Sequence, residues 1–403
     1  MIKTAILGIG TVGAGTAEVL TKNKDVIARR AGQEIEVKYI LCRKPRPDHP
    51  LADRIVHDFE VIVGDPEIAV VAECIGGATV AYEYDKRCLL AGKSVVTSNK
   101  ELVAKHGMEL TAIARDKGVN FLFEGSVGGG IPILRPIVQC LAANEITSVC
   151  GILNGTTNYI LTEMIQCGKT FDQALKEAQE KGYAELDPTA DVEGIDAGRK
   201  ISILADLCFG KNVAPEEVKT VGITAIASAD IEYARILGYK IKLLGRALRT
   251  GPNSVTAFVE PHLISKSNPI ANIDGVMNGI SVKGDAVGET MFFGPGAGAL
   301  PTASAVAADV IDCVREPNTR KYLGWWPSEP GYVTDPDLIS SRWLVRTGAD
   351  LSGIGAAFGN ARFITAPAGA QGEYAFVTDY MSRAALDRRA AGMDVRAVYR
   401  ILD

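Results

Sequence analysis

The sequence predicts an α/β protein in three parts: a parallel sheet with flanking helices over residues 1–140, a mixed α+β domain over 141–294, and a linker with a small α+β domain over 319–403. Strand-like and helical segments alternate along the first part, which is typical of parallel sheets with crossover helices. From about residue 145 strand-like runs alternate with longer helical patterns, and the tail holds short strand-like runs around one helical pattern. A glycine–proline loop and an apolar helix at about 295–318 are expected to return and complete the first part.

Length and composition exclude several classes of protein. The 403 residues are 47% hydrophobic and 23% charged, with a net charge of -5, which argues against a general nucleic-acid binder or a membrane-surface protein. No run approaches the roughly 20 apolar residues that cross a bilayer, so we expect a cytoplasmic protein with neither nucleic-acid nor membrane partners. Eight scattered cysteines are expected to be reduced, buried thiols, and four scattered histidines do not fit a zinc site.

A glycine-rich turn follows the first predicted strand. Residues 2–7 are apolar, residues 8–13 read GIGTVG, and a helical pattern comes next. Between a strand and a helix, such glycines let a pyrophosphate approach the helix N-terminus closely. The sequence therefore predicts a Rossmann-type dinucleotide-binding domain; the alternative is a glycine-rich turn without a ligand. The predicted cofactor residues of this turn are Gly8, Gly10, Thr11, Val12 and Gly13.

Basic residues follow the second predicted strand, 37–41. Sites that prefer NAD usually carry an acidic residue here for the ribose hydroxyls, whereas this chain has Arg43 and Lys44, with Arg46 and Arg54 beyond them. Cations suit the 2′-phosphate of NADP. We therefore predict NADP as the cofactor and keep NAD as an alternative. A solvated basic loop is the other interpretation, and which cation contacts the phosphate is left open.

Three further segments belong to the same predicted domain. Ser98 and Lys100 follow the strand SVVT, at the edge where parallel sheets bind ligands, so Lys100 is expected to face nicotinamide and substrate; a solvated lysine at a helix start is the alternative. Glu124 opens the loop EGSVGGGIP, which could cup a small cation, approach the cofactor or act as a hinge. The loop PGAGALPT around Gly296 is expected to close over the nicotinamide half of the dinucleotide.

The segment 182–200, GYAELDPTADVEGIDAGRK, concentrates charged residues ahead of the apolar run ISILADLCF. Asp187 and Pro188 predict a helix start. A helix that is under way by Gly194 places Asp196 and Lys200 at i and i+4 on one face. The apolar run continues close to that face, so the pair should be buried, where the pKa of a lysine can shift enough for proton transfer. An ordinary surface ion pair is the alternative.

Six motifs give residues 1–315 a resemblance to homoserine dehydrogenases. They are GIGTVG, TSNKELVAKHG, EGSVGGGIPI, GILNGTTNYIL, AQEKGYAELDPTADVEGIDAGRK and GPGAGALPTASAV. The resemblance implies NAD(P)-dependent interconversion of L-homoserine and L-aspartate 4-semialdehyde, on the route to threonine, methionine and isoleucine. The middle domain is then the catalytic domain. Because strand edges and apolar faces of its sheet need cover, we also expect it to carry the interface of a homodimer or homotetramer.

The resemblance also implies roles for single residues. Lys200 resembles the proton donor and acceptor at the C4 oxygen of the substrate, and Asp196 the carboxylate that helps to hold the substrate and this lysine. Lys100 resembles a second lysine between cofactor and substrate. Glu185 and Asp191 resemble acids of the substrate site, with Glu185 meeting the amino group. Our candidates for the substrate carboxylate are the amides of Asn154, Gly155 and Thr156.

A cation site and a regulatory tail are implied in the same way. Glu124, Val127, Gly129 and Ile131 fall where the family binds sodium or potassium, three of them through backbone oxygens. The family often ends in an ACT-type module whose first loop carries Asp-x-Pro-Gly. Here the loop 347–353 reads TGADLSG, so the tail resembles a degenerate ACT domain, and threonine as an effector is left open.

Two other functions would use the same cofactor. Aspartate semialdehyde dehydrogenase chemistry needs a thiolate with a histidine partner, and the cysteines of this chain have no plausible histidine neighbour. A catalytically silent NADPH-binding sensor predicts a cofactor site without an acid/base pair, whereas Asp196 and Lys200 are both present.

Overall fold

A computed structural model describes residues 1–315, 321, 323–359, 361–367 and 372–402. Residues 319, 320 and 322 of the predicted linker lie outside the described residues. The chain groups into two compact units, which are described separately. The first comprises Met1–Thr147, Ser202–Pro215 and Lys283–Ser328; the second comprises Ser148–Ile201, Glu216–Val282 and Glu329–Asp403. The tail thus groups with the middle of the chain, and the division into three domains stays a prediction.

The strands in chain order are β1 (Ile2–Leu7), β2 (Ile35–Leu41), β3 (Ile55–Val56), β4 (Ile68–Glu73), β5 (Ser94–Thr97), β6 (Phe121–Leu122), β7 (Ile146–Ile152), β8 (Lys219–Thr220), β9 (Tyr239–Gly251), β10 (Ser254–Ser265), β11 (Met277–Gly284), β12 (Gly288–Pro295), β13 (Trp343–Thr347), β14 (Arg362–Ile364), β15 (Tyr374–Val377) and β16 (Val395–Leu402). The α-helices are α1 (Thr11–Lys22), α2 (Lys24–Ala31), α3 (Glu60–Val63), α4 (Thr79–Leu90), α5 (Lys100–Lys117), α6 (Leu134–Val138), α7 (Gly155–Cys167), α8 (Phe171–Glu180), α9 (Thr189–Val192), α10 (Ile195–Phe209), α11 (Ser228–Leu237), α12 (Ala299–Arg315), α13 (Leu351–Phe358) and α14 (Arg383–Arg389).

A six-stranded parallel sheet forms the centre of the first unit. Its strand order is β3-β2-β1-β4-β5-β6. This is the order of a Rossmann-type dinucleotide-binding sheet, and the order reverses between β1 and β4, where such sheets bind their ligand. Most residues of the inner strands are apolar and buried, as in parallel sheets covered by helices on both faces. The predicted fold of the N-terminal part is confirmed.

The helix α12 belongs to the first unit and packs against α1. A Cβ atom on Gly15 of α1 would lie 3.0 Å from the carbonyl oxygen of Ala299 and 3.2 Å from the Cβ of Ala303, so a larger residue here would push the two helices apart by a few tenths of an ångström. Part of the predicted linker belongs to the first unit and packs against Phe123. Trp325 is 3% exposed, and its indole N–H donates a 3.0 Å hydrogen bond to Asn212.

A mixed sheet forms the centre of the second unit, with the strand order β11-β7-β9-β10-β16-β13-β15-β14. The strands β9 and β10 pair antiparallel over most of their length, and β16 pairs parallel with β10. No strand was predicted at β9, although it spans 13 residues. The reason lies in its basic residues, since Lys240, Lys242 and Arg246 interrupt the apolar pattern.

Four strand-like runs predicted in the tail are confirmed as β13 to β16, and the predicted helical pattern is α14. The helix α13 was not predicted. It begins inside the predicted loop 347–353, because the side chain of Asp350 accepts a 2.7 Å hydrogen bond from the amide of Gly353 and caps the helix. Since β16 extends the sheet of β10, the tail is part of the second unit's sheet.

Within the described residues, no helix is long and apolar enough to cross a membrane. All eight cysteines are free thiols, and Cys88, Cys208 and Cys313 are buried as predicted. Cys42, Cys74 and Cys150 are half-buried, and the prediction of buried thiols is wrong for the exposed Cys140 and Cys167. Both lie at the C-terminal ends of helices, Cys140 two residues beyond α6 and Cys167 as the last residue of α7.

Candidate active site

The amine of Lys200 and the carboxylate of Asp196 form a buried pair in the second unit. The Nζ atom donates hydrogen bonds of 2.7 Å to Asp196 Oδ2 and of 2.7 Å to the carbonyl oxygen of Leu153. Lys200 is 7% exposed and Asp196 is 5% exposed. The predicted i, i+4 placement is confirmed, and the alternative of a surface ion pair is wrong.

The helix that carries this pair begins later than Asp187 and Pro188 predicted. A short helix, α9, ends at Val192, and α10 begins at Ile195. Gly194 lies between them with a φ of +78°, a left-handed conformation that interrupts the helix. Asp187 still accepts hydrogen bonds from the amide of Thr189 at 3.1 Å and from its hydroxyl at 2.7 Å.

The side chain of Asn154 connects three parts of the site. Its oxygen accepts a 2.8 Å hydrogen bond from the amide of Thr157 and caps α7. Its Nδ2 atom donates to Asp191 Oδ1 at 2.6 Å and to Asp196 Oδ2 at 2.8 Å. Asn154 was predicted only as a backbone donor for the substrate carboxylate, whereas its side chain is committed to two acids. The amide therefore sets the position of both carboxylates around Lys200.

The other predicted substrate residues have different surroundings. Thr156 donates its hydroxyl to the carbonyl oxygen of Tyr183 at 2.6 Å, so this hydroxyl anchors the segment before Glu185. A Cβ atom on Gly155 would lie 2.7 Å from the carbonyl oxygen of Val276, which requires a glycine at the start of α7. Glu185 is exposed, and its backbone carbonyl accepts a 3.0 Å hydrogen bond from Gln179.

A buried lysine that was not predicted lies behind α7. Lys242 of β9 is fully buried and donates to Asn158 Oδ1 at 2.9 Å, to the carbonyl oxygen of Ile273 at 2.8 Å and to Asp274 Oδ1 at 2.8 Å. Burial lowers the pKa of Lys242 to about 8, although the bond to Asp274 opposes the shift. This network fixes α7 from behind, and no local pattern in the sequence indicates it.

The glycine turn of the first unit has the geometry that a dinucleotide requires. Gly8 has a φ of +96°, and a Cβ atom on Gly13 would lie 2.1 Å from the carbonyl oxygen of Gly8. Gly10 precedes the first turn of α1 and is exposed, as is Thr11, while Val12 is half-buried. The amides that begin α1 therefore remain accessible to a pyrophosphate.

The basic loop after β2 contains three exposed candidates for the 2′-phosphate, Arg43, Lys44 and Arg46. Arg54 differs, because its guanidinium donates to the carbonyl oxygen of Val37 and lies 3.9 Å from the carboxylate of Glu36. These contacts commit Arg54 to its own sheet and leave the other three as candidates.

Ser98, Lys100 and Gly296 also lie in the first unit. Lys100 is half-buried and is the first residue of α5, directly after Asn99, whose side chain caps the helix. Ser98 is half-buried, and a Cβ atom on Gly125 would lie 3.0 Å from its Cβ. A Cβ atom on Gly129 would lie 2.5 Å from the carbonyl oxygen of Gly296, so the glycine–proline loop packs directly on the glycine-rich loop.

In the predicted cation loop, the carboxylate of Glu124 binds backbone amides. Glu124 accepts hydrogen bonds from the amides of Ile133 at 2.6 Å, Leu134 at 2.9 Å and Arg135 at 2.9 Å. These bonds occupy both carboxylate oxygens, so a cation here would rely on backbone oxygens. Val127, Gly129 and Ile131 are buried in the same loop. Among the described residues, no cluster of three or more His, Cys, Asp or Glu could hold a metal ion.

A Rossmann-type sheet with a dinucleotide turn and, in the other unit, a buried lysine–aspartate pair define an NAD(P)-dependent oxidoreductase. The family model described as homoserine dehydrogenase matches residues 132–311, and the one described as its NAD binding domain matches residues 8–124. The chain belongs to the homoserine dehydrogenase family.

Individual relatives agree with this assignment. The homoserine dehydrogenase of Pseudomonas aeruginosa is 50% identical over 315 residues, which are 78% of this chain and 72% of the relative. That of Bacillus subtilis is 43% identical over 314 residues, 77% of this chain and 72% of the relative. The crystal structure of a homoserine dehydrogenase from Thiobacillus denitrificans is 38% identical, covers 100% of this chain and 98% of its own, and has a TM-score of 0.91. A hyperthermophilic archaeal homoserine dehydrogenase solved in complex with NADPH is 28% identical, covers 77% of this chain and 97% of its own, and has a TM-score of 0.66.

Proposed function

We propose that this protein reduces L-aspartate 4-semialdehyde to L-homoserine and catalyses the reverse oxidation, with Lys200 as the general acid and base. The observation that carries the proposal is the buried hydrogen bond between Lys200 and Asp196. Membership of the homoserine dehydrogenase family supports the same reaction.

The proposed mechanism uses the amine of Lys200 at the oxygen of the reacting carbon. A bound nicotinamide supplies hydride in one direction and accepts it in the other. As negative charge develops on the aldehyde oxygen, the ammonium of Lys200 stabilises it and donates a proton, a contribution typically worth about 10²–10⁴-fold. In the oxidative direction the neutral amine accepts the proton of the alcohol. Asp196 and the carbonyl of Leu153 hold the amine in one orientation through their hydrogen bonds.

Substrate recognition is proposed to use two acids of the same unit. Asp191 and Glu185 are proposed to meet the substrate ammonium, and Asp191 is already oriented by Asn154. Lys100 is proposed as a second cation between cofactor and substrate. The backbone amides at Gly155 and Thr156 remain our candidates for the substrate carboxylate, since the hydroxyl of Thr156 is committed to Tyr183.

The choice between NADP and NAD rests on the basic loop after β2. We propose NADP as the preferred cofactor, with Arg43 and Lys44 as the residues that meet its 2′-phosphate, because both are exposed at that strand end. Replacing Arg43 by alanine should raise the KM for NADP+ about tenfold or more and leave the KM for NAD+ almost unchanged, since one charge-assisted hydrogen bond is worth about 1.5–3 kcal/mol. An equal effect on both cofactors would contradict the assignment.

Three further proposals concern ligands and assembly. A sodium or potassium ion would bind the loop of Val127, Gly129 and Ile131 through backbone carbonyl oxygens, which are the ligands that hard cations prefer. The second unit's sheet is proposed to carry the interface of a homodimer or homotetramer. A threonine-like effector would bind the tail, whose loop 347–353 resembles a degenerate form of the first loop of an ACT module.

The direct test of the function is the change in absorbance at 340 nm when purified protein is mixed with homoserine and NADP+. The proposal predicts reduction of the cofactor, and oxidation of NADPH when aspartate semialdehyde is supplied. A silent sensor would bind NADPH without turnover. An aspartate semialdehyde dehydrogenase would instead oxidise the aldehyde and leave homoserine unchanged.

A further inference from the structure

A closed ring of hydrogen bonds joins the ends of β4 and β5 in the first unit. Glu73, the last residue of β4, is fully buried and pairs with Thr97, the last residue of β5. Its Oε2 atom accepts a 2.6 Å hydrogen bond from the hydroxyl of Thr97. Its Oε1 atom accepts from the amide of Ile75 at 2.5 Å and from the amide of Gly76 at 3.3 Å. One carboxylate therefore binds both the neighbouring strand and the turn that follows its own.

The ring closes through Asn99. The amide N–H of Asn99 donates to the hydroxyl oxygen of Thr97 at 2.9 Å, and its Nδ2 atom donates to the carbonyl oxygen of Gly77 at 2.7 Å. The Oδ1 atom of Asn99 accepts from the amide of Leu102 at 3.1 Å and caps α5. The first residue of that helix is Lys100.

The hydrogen bonds of Glu73 oppose the effect of its burial. Burial raises the pKa of Glu73, and the hydrogen bonds from Thr97 and from the amides of Ile75 and Gly76 oppose that shift. Each of its oxygens accepts at least one hydrogen bond, so the geometry suits an acceptor-only carboxylate. Burying a carboxylate costs free energy unless its oxygens accept hydrogen bonds. Removing one of the partners of Glu73 would therefore leave a buried oxygen unsatisfied.

We infer that Glu73, Thr97 and Asn99 are positioning residues that set the place of Lys100 and of the turn at Ile75–Gly77 for the reaction. Both segments follow strands of the sheet at the edge where a Rossmann-type sheet binds its dinucleotide. A displacement of a catalytic group by about 1 Å can cost about 10²-fold in rate. The inference rests on the proposed role of Lys100.

A double-mutant cycle with Lys100 tests the inference. Thr97→Val keeps the shape of the side chain and removes both hydrogen bonds of the hydroxyl, and Thr97→Ser, which keeps the hydroxyl, is the matched control. We expect Thr97→Val to lower kcat/KM for homoserine about tenfold, the equivalent of about 1.4 kcal/mol, and Thr97→Ser to stay within about twofold. In a Lys100→Met background, Thr97→Val should lower kcat/KM by less than a further factor of about two, because its effect acts through Lys100.

A second variant, which breaks the ring at Asn99, tests the inference in case Thr97→Val does not fold. Asn99→Asp keeps the oxygen that caps α5 and replaces the donor to Gly77 by a carboxylate oxygen, and it should show the same dependence on Lys100. The dissociation constant of NADPH, measured by fluorescence in every variant, should stay within about threefold for Thr97→Val, because the amide bonds to Glu73 Oε1 remain.

The outcomes separate the inference from the proposed function. Effects of Thr97→Val and Asn99→Asp that multiply fully with that of Lys100→Met would overturn the inference and leave the function standing. Wild-type activity in both Thr97→Val and Asn99→Asp would also overturn the inference and leave the function standing. Full activity in Lys100→Met would remove the role of Lys100 itself, and with it the inference, while an inactive wild-type protein would contradict the function.

Discussion

Asn154 is the residue on which the arrangement around Lys200 depends most. One amide nitrogen donates to both Asp191 and Asp196, while the amide oxygen caps α7. Two carboxylates side by side repel each other unless a donor lies between them, and the amide nitrogen of Asn154 donates to both. The neutral amide holds both acids together without adding charge.

Replacing Asn154 by aspartate isolates the donor function. The variant keeps the oxygen that caps α7 but places a third carboxylate against the other two, which like-charge repulsion disfavours. We expect kcat/KM for homoserine to fall at least about tenfold, an effect of about 1.4 kcal/mol. Steady-state kinetics at 340 nm measure this change, and Asn154→Ala, which removes donor and cap together, is the comparison. Unchanged kcat/KM in the aspartate variant would show that the amide does not position the acids.

At the scale of single elements, the turn between β1 and α1 combines two kinds of glycine. Gly13 is required by packing, since a Cβ atom would lie 2.1 Å from the carbonyl oxygen of Gly8, whereas a Cβ atom on Gly10 would meet no atom within 4 Å. Loss of Gly13 therefore distorts the turn, while loss of Gly10 affects only what binds there.

Alanine variants at these two positions separate packing from ligand contact. Gly13→Ala should lower the melting temperature and weaken NADPH binding by about tenfold or more, because the backbone must shift. Gly10→Ala should keep the wild-type melting temperature, and any loss of NADPH affinity then reports direct contact with the cofactor. Thermal unfolding and fluorescence titration measure both quantities. Equal melting temperatures for the two variants would contradict the packing argument.

The helix α4 carries a buried acid that the mechanism does not use. Asp85 is fully buried, and neither of its carboxylate oxygens has a hydrogen-bond partner among the described residues. Burial raises the pKa of Asp85 well above its usual value, and the nearby charge of Glu73 adds to the shift. In the unfolded chain this carboxyl ionises near pH 4, at about 3.9. The contribution of Asp85 to the stability of the fold is therefore fully present below that pH and is lost as the pH rises toward the folded pKa.

The variant Asp85→Asn stays neutral at every pH, so it should escape this loss. We expect it to melt at a higher temperature than the wild type at pH 8, by an amount equivalent to about 1.4 kcal/mol for each unit of the pKa shift. The difference should shrink toward zero near pH 4. Glu83→Gln, an exposed change on the same helix, is the control and should show no such trend. A stabilisation that is independent of pH would contradict the assignment of the shift to Asp85.

Across the whole molecule, the sequence predicted those features that depend on residue patterns within short segments. The glycine turn, the strands that feed the parallel sheet and the burial of Lys200 all follow from periodicity within about twenty residues. The side-chain role of Asn154 could not be predicted, because its partners lie 37 and 42 positions further along the chain. Glu73 reads as the end of an apolar strand, and its ring with Thr97 appears only when β4 and β5 pair.

The second unit shows where local patterns fail. Lys242 makes β9 look solvent-facing, yet its ammonium is buried against Asn158 and Asp274. The tail was expected as a separate appendage, whereas β16 pairs with β10 in the sheet of the same unit. Arg400 of that strand is 1% exposed and lies 5.0 Å from the ring of Phe258 and 4.4 Å from that of Trp343. Pairing between strands that lie far apart in the chain cannot be predicted from composition or from local patterns.

The rate of the Lys200→Met variant tests the central claim most directly. The substitution keeps an unbranched side chain and removes the amine, so kcat for homoserine oxidation at 340 nm should fall by about 10²–10⁴-fold, while the dissociation constant of NADPH stays within about threefold. Lys176→Met, an exposed change on α8, is the control and should retain wild-type kinetics. A kcat close to that of the wild type in Lys200→Met would contradict the account, because the proton would then be moved by another group.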